Sequence, residues 1–408
     1  MWSQDSQAVL LHRQPGRRSV SVGVWFAHGA AHDPDELAGA THLIEHLTLR
    51  RCGRRDRRAL AELIDRLGGG VDAWTSAETM CISAETTIDA LDEVLAILRD
   101  AVLEPTFDPE DVDLERQVAL AELQLLADDP AEQVGEAVLQ AAWGAHPLAR
   151  PVIGTAASLA ELTPELLRGH HRDCLLRPGK MALAVVGDVQ MADLQPGLAE
   201  LPIADRVQRP ILAPPRWLAR RSTLVRPATD QVHVRLALPA LCAGDPDAPV
   251  LGVLNRVLGS GSSSRLFQKL REDEGLTYDI WSEPLLRSVA GLLEIGWACA
   301  PERFADSWRL VGEELARCAK DLEDEEVEIA LQGMTRGLQI DAETAHGRAA
   351  MDVGELLERG RRFDLERVLG ELGSITPTRV RRMAGRILRP ERMASAICGP
   401  EGIAERVA

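Results

Sequence analysis

Residues 33–46 read DPDELAGATHLIEH and residues 245–258 read DPDAPVLGVLNRVL, so Asp33-Pro34-Asp35 returns as Asp245-Pro246-Asp247 at an offset of 212. Each copy of this turn signal follows a strand-like run and precedes a helix-like one, which gives the two stretches the same place in a repeated unit. Two further echoes keep the order. VDAWTS at 71–76 is answered by YDIWS at 278–282, and Val112 and Leu114 are answered by Val327 and Ile329. The offsets drift by a few residues, as loop insertions produce, and three matches in one order argue for a duplicated domain.

Around the first of these stretches, residues 18–28 (RSVSVGVWFAH) alternate as a strand and 36–49 carry a helical pattern. A second helix is predicted near 57–67 and is broken by Gly68-Gly69-Gly70. Paired strands over 71–87, an amphipathic helix near 88–103, a helix over 108–143 and a short apolar strand at 180–187 complete the first half. The expected fold is α+β: two homologous α/β-sandwich-like domains, each a mostly antiparallel sheet packed with helices. A length of 408 residues suits two domains of about 200. Pro202, Pro210, Pro214 and Pro215 punctuate a stretch without periodicity. The expected division is therefore 1–200, a linker at 201–217, and 218–408.

A composition of 45% hydrophobic and 27% charged residues excludes disordered and fibrous classes. The net charge of −17 repels phosphate backbones and anionic lipid, so no nucleic-acid or membrane partner is expected. No run reaches the roughly 18 apolar residues of a membrane span and no signal-peptide pattern opens the chain, which predicts a cytoplasmic protein. The seven cysteines are odd in number and lack any CxxC spacing, so each reads as a small buried hydrophobe. The basic run Arg50–Arg58 reads as a solvated helix start. His170 and His171 are adjacent, point about 100° apart on a helix, and read as structural.

The chemistry concentrates in Thr41-His42-Leu43-Ile44-Glu45-His46. On a helix, His42, Glu45 and His46 share one face while Leu43 and Ile44 turn away from it. Two imidazoles one turn apart can grip a single ion with a carboxylate beside it. A zinc site of the catalytic kind needs a third protein ligand and an open fourth position.

The H-x-x-E-H pattern resembles that of the pitrilysin and insulysin family of inverted-motif zinc peptidases, which includes the mitochondrial processing peptidase. The resemblance implies one zinc ion per chain, with Glu45 as the base that activates water. It also implies a glutamate ligand far downstream, and Glu122 lies 76 residues beyond His46. Glu115, two turns earlier on the same helix face, would orient a ligand from behind. SSRLFQKLREDEGLTYDIWS (263–282) is similar to the family's arginine and tyrosine segment, which puts Arg271 and Tyr278, the one tyrosine of the chain, in contact with substrate. LGGGVDAWTS (67–76) is family-like too, and implies that Ala73, Trp74 and Thr75 line an extended substrate. Trp281 is a second candidate lining residue. RPGKMALAVVGD (177–188) also matches. Asp72 stands where the family usually has asparagine, and Leu47–Gly53 replaces its common aromatic-Lys-Gly loop.

At the offset of 212, His42, Glu45 and His46 become Leu254, Val257 and Leu258; at an offset of 215, Glu115 and Glu122 become Ala330 and Gly337. The joint loss is what a metal-bearing copy and a scaffold copy would show. The implied function is an endopeptidase acting on oligopeptides or unfolded leader and targeting segments. Two domains would form half of a clamshell, closed as a homodimer or as a heterodimer with a paralogous subunit. The rival expectation is a non-catalytic scaffold subunit of such a pair.

Overall fold

The computed structural model of the protein describes residues 6–227 and 229–407. The first repeat runs β1 (Val9–Arg13), β2 (Ser19–Phe26), α1 (Ala40–Thr48), α2 (Arg57–Arg66), β3 (Val71–Thr75), β4 (Met80–Thr87), α3 (Leu91–Leu103), α4 (Pro109–Asp128) and α5 (Pro130–Trp143). It closes with α6 (Ala156–Glu161), α7 (Pro164–His170), β5 (Met181–Gly187) and α8 (Met191–Leu198). Residues 199–220 hold neither helix nor strand.

The second repeat follows the same plan. It comprises β6 (Arg221–Val225), β7 (Val232–Ala240), α9 (Ala248–Leu258), β8 (Ile280–Leu286), β9 (Gly291–Cys299), α10 (Phe304–Asp321), α11 (Asp324–Glu343), α12 (Ala345–Arg359), α13 (Leu365–Gly373), α14 (Pro377–Ile387) and β10 (Ala394–Gly399). The first sheet has the order β1-β5-β2-β4-β3 and the second β6-β10-β7-β9-β8, so every strand has a counterpart. In both sheets the outermost pair, β1 with β5 and β6 with β10, is parallel and the other pairs are antiparallel. The duplicated α+β fold expected from the DPD and DAW echoes is the fold observed.

The helix predicted over 108–143 is two helices. Asp129 caps α5 by accepting from the Ala131 N–H, and Pro130 occupies the first turn. An Asp-Pro pair is a start signal because proline's missing N–H is one the helix does not need there.

Two compact units are present. The first takes Met1–Gln124, Pro151–Ile211 and Ile340–Asp364; the second takes Leu125–Arg150, Leu212–Gln339 and Leu365–Ala408. In the first, Ala345, Ala349, Val353 and Leu356 of α12 pack on a sheet face made by Leu10, Trp25, Cys81, Ala182, Ala184 and Val186. In the second, α5 lies against β6, β7 and β10. Each sheet is thus covered by a helix that belongs, in sequence, to the other repeat. On its opposite face the second sheet buries Val232, Val234 and Leu236 against Leu251 and Leu254 of α9 and Val311 and Leu315 of α10. Among the described residues no helix is long and apolar enough to cross a membrane.

Candidate metal centre

Helix α1 is fixed before it does any chemistry. Leu43, Ile44 and Leu47 are fully buried, and truncating any one of them to alanine would cost about 2–5 kcal/mol. Gly39, at φ 90°, caps the helix where a Cβ would sit 2.4 Å from the Ile153 carbonyl oxygen, so only glycine permits that approach. The counterpart positions on α9, Leu254, Val257 and Leu258, are all core residues. The same helical face is therefore buried in one repeat and left for polar groups in the other.

On that polar face the His42 and His46 rings stand 4.6 Å apart at 61°. Glu122 reaches them from α4. Its Oε2 lies 3.8 Å from His42 Nε2 and 3.6 Å from His46 Nε2. One donor atom from each of the three falls within 4.8 Å of the other two. Tetrahedral zinc with bonds of about 2.0–2.2 Å holds its ligand atoms roughly 3.3–3.6 Å apart, close to the 3.8 and 3.6 Å that separate the Glu122 oxygen from the two imidazole nitrogens. The donor set, two imidazoles and a carboxylate, is one that zinc accepts in catalytic sites.

Behind the trio stands a chain of ion pairs. Glu115 Oε2 lies 3.2 Å from His46 Nδ1 and its Oε1 accepts from Arg50 Nη1 at 2.6 Å. Arg50 Nε donates to Asp111 Oδ1 at 2.8 Å, and Asp111 also accepts from Arg51 Nε at 2.6 Å and the Thr106 hydroxyl at 2.9 Å. Asp111, Glu115 and Glu122 recur at four and seven residues, which puts all three on one face of α4. Arg50 and Arg51 are accordingly not part of a solvated helix start; they bridge the loop after α1 to α4. Only the later part of the basic run, from Arg57, opens a helix, capped by Asp56. Local sequence patterns do not reveal this role of the arginines, because their partners lie 60 to 65 residues away.

Arg50→Ala, or Glu115→Gln, is expected to weaken metal binding about 10–100-fold by releasing the His46 ring, as removal of an orienting partner does elsewhere. Competition titration against a metal indicator measures it, and an unchanged affinity would mean that the ion-pair chain is bystander structure.

Glu45 sits on the same face of α1. Burial, the dominant influence, pushes its carboxyl up to about 7, against the Thr75 hydroxyl and His46, which favour the ionised form. Burial first, and the neighbouring His46 second, push the His42 imidazole down to about 4, which leaves it neutral and able to ligate. Its Nδ1 is buried without a hydrogen-bond partner.

Ala73, Trp74 and Thr75 lie on β3, which is the edge of its sheet and pairs with β4 only. α1 packs against this strand. Trp74 packs on the Trp25 and Cys81 side of the sheet. Strand alternation directs Ala73 and Thr75 to the opposite side.

Arg271 and Tyr278 belong to the second compact unit. The Arg271 guanidinium lies 5.0 Å from the Tyr278 ring and 4.6 Å from that of Phe267, and Tyr278 is 83% exposed. Trp281, on the edge strand β8, is covered by the Arg235 guanidinium at 4.5 Å. His171 donates through Nε2 to the Val102 carbonyl at 2.9 Å, while His170 faces Asp33 at 3.1 Å, so the adjacent histidines part company.

Comparison with known proteins places this geometry in context. The family model described as insulinase, peptidase family M16, matches residues 8–156, and that described as peptidase M16 inactive domain matches residues 161–334. The chain is 33% identical over 399 residues to a Mycobacterium tuberculosis protein named an uncharacterised zinc protease, covering 95% of this chain and 90% of that one. A Bacillus subtilis protein with a similar name is 28% identical over 403 residues, covering 98% and 97%. The crystal structure of a peptidase M16 inactive domain from Pseudomonas fluorescens superposes with a TM-score of 0.88 at 20% identity over 98% of this chain and 97% of that one.

Proposed function

Because the chain belongs to the insulinase (M16) family of peptidases, we propose that it is a zinc-dependent endopeptidase that cuts oligopeptides and unfolded leader or targeting segments. The observation that carries this is the convergence of His42, His46 and Glu122 within 4.8 Å, beside the half-buried Glu45 on the same helical turn. The zinc in the relatives' names supports the choice of ion.

His42, His46 and Glu122 would hold the ion, and a bound zinc supplies a Lewis acid that polarises the scissile carbonyl and acidifies water. Glu45 takes a proton from the attacking water and returns it to the leaving amine as the C–N bond breaks. A carboxylate on the same face of α1 as the two imidazoles stands where it can do both halves of that task. The edge of β3 receives the substrate as an added strand through the backbone of Ala73–Thr75, with the Ala73 and Thr75 side chains facing α1. Substrate must be extended to do this, which selects unfolded segments.

The reading takes Arg271 and Tyr278 as substrate contacts supplied by a second copy of the chain. The exposure of Tyr278 under a stacked guanidinium supports it. Sedimentation as a dimer is the expected behaviour, and a monomer cleaving at full rate would overturn this part.

Removal of metal by a chelator is expected to abolish cleavage of an unstructured peptide mixture, and one equivalent of zinc at the His42, His46 and Glu122 site to restore it. Undiminished cleavage by metal-free protein would refute the assignment. A pure preparation that binds zinc there and cleaves nothing would favour the scaffold alternative.

A further inference from the structure

We propose that the chain holds a second metal ion, at His28, His170 and Cys174. His28 lies just beyond the end of β2, His170 ends α7, and Cys174 follows one turn later in the π-helical segment His171–Leu175. One donor atom from each lies within 4.8 Å of the other two. The sequence could not show this, because Cys174 has no nearby cysteine and His28 is far away in the chain.

Three features distinguish the cluster from an ordinary core contact. First, His28 and His170 are 4% and 5% exposed, so both rings are held out of water. Second, a carboxylate stands behind the rings. Asp33 Oδ1 is 3.1 Å from His170 Nε2 and 3.5 Å from His28 Nε2. A carboxylate shared between the two Nε2 atoms holds both rings in place and brings a negative charge to the pocket. Third, the Cys174 thiol is within hydrogen-bond reach of the His170 ring. Zinc bonds of about 2.3 Å to sulfur and 2.0–2.1 Å to nitrogen put these two donors roughly 3.6 Å apart, which is hydrogen-bond range for sulfur.

Charge also balances. A divalent ion, one thiolate and the Asp33 carboxylate sum to zero inside a buried pocket, which offsets much of the cost of taking each charge out of water. Binding releases the thiol proton to solvent, and nothing is oxidised or reduced. Two imidazoles and one thiolate suit zinc, and also cobalt as its spectroscopic substitute.

The ion would brace the peptidase site without joining its chemistry. Asp33 also accepts from the Thr41 hydroxyl at 2.5 Å and the Thr41 N–H at 3.1 Å, and Thr41 precedes His42 in the first turn of α1. The cluster therefore ties together the end of β2, the loop before α1 and the end of α7.

Sulfur separates the two sites experimentally. Metal-free full-length protein titrated with Co²⁺ is expected to take two equivalents, one of which brings a near-ultraviolet thiolate-to-cobalt charge-transfer band. The His42, His46 and Glu122 site has no sulfur and cannot produce that band. Cys174→Ser and His28→Gln should each bind one equivalent without the band, while Glu122→Ala should bind one equivalent and keep it. A wild-type titration with no charge-transfer band, or a band that survives Cys174→Ser, overturns the proposal whatever the fate of the peptidase site.

Discussion

Glu45→Gln is expected to bind one equivalent of zinc at the His42 site as the parent chain does, and to hydrolyse peptide about 10²–10⁴-fold more slowly, the usual contribution of a general base. The substitution keeps the size and the hydrogen-bonding reach of the side chain. It removes only the ability to accept a proton. Because Leu43, Ile44 and Leu47 anchor α1 and glutamine can occupy the Glu45 position, the helix should stay in place. Single-turnover hydrolysis of an unstructured peptide library, with metal content measured on the same sample, checks both halves. Cleavage at the parental rate would show that another group handles the proton.

The second large effect falls on Glu122. Its side chain is 40% exposed and contributes nothing to the core, so Glu122→Ala should leave the metal-free protein as stable as the parent. Metal affinity at this site is another matter. Loss of an orienting partner costs about 10–100-fold, and loss of one of only three protein ligands should exceed the upper end of that range. Activity at limiting zinc should fall in proportion and recover in part at high zinc. An affinity equal to the parent's would remove Glu122 from the ligand set. His46→Ala is expected to do the same, with a further effect, because it strands the Glu115 carboxylate beside Arg50 without its imidazole partner.

How far these residues were legible in the sequence depends on the range of the interactions that matter. His42, Glu45 and His46 sit within one helical turn, so periodicity alone puts them on one face. Glu122 came through resemblance, since nothing local marks one glutamate of α4 from its neighbours. The duplication was legible because turn signals such as Asp33-Pro34-Asp35 are local and strong. The exchange of α5 and α12 between units was not, for an amphipathic stripe says that a helix buries one face but not which sheet receives it. The break at Asp129-Pro130 had a local signature that the longer helical pattern overrode. The Arg50–Asp111 pairing and the His28, Asp33, His170 and Cys174 cluster join segments brought together only by the sheet and its connections. Cys174 reads by spacing as an isolated hydrophobe and by structure as a thiol facing an imidazole.

Anomalous X-ray scattering at the zinc edge, from crystals of the full chain grown with stoichiometric zinc, measures the central geometry directly. A peak roughly 2.0–2.2 Å from one nitrogen each of His42 and His46 and from a Glu122 carboxylate oxygen is the expected result. Strong density elsewhere with nothing between those three side chains would contradict the account.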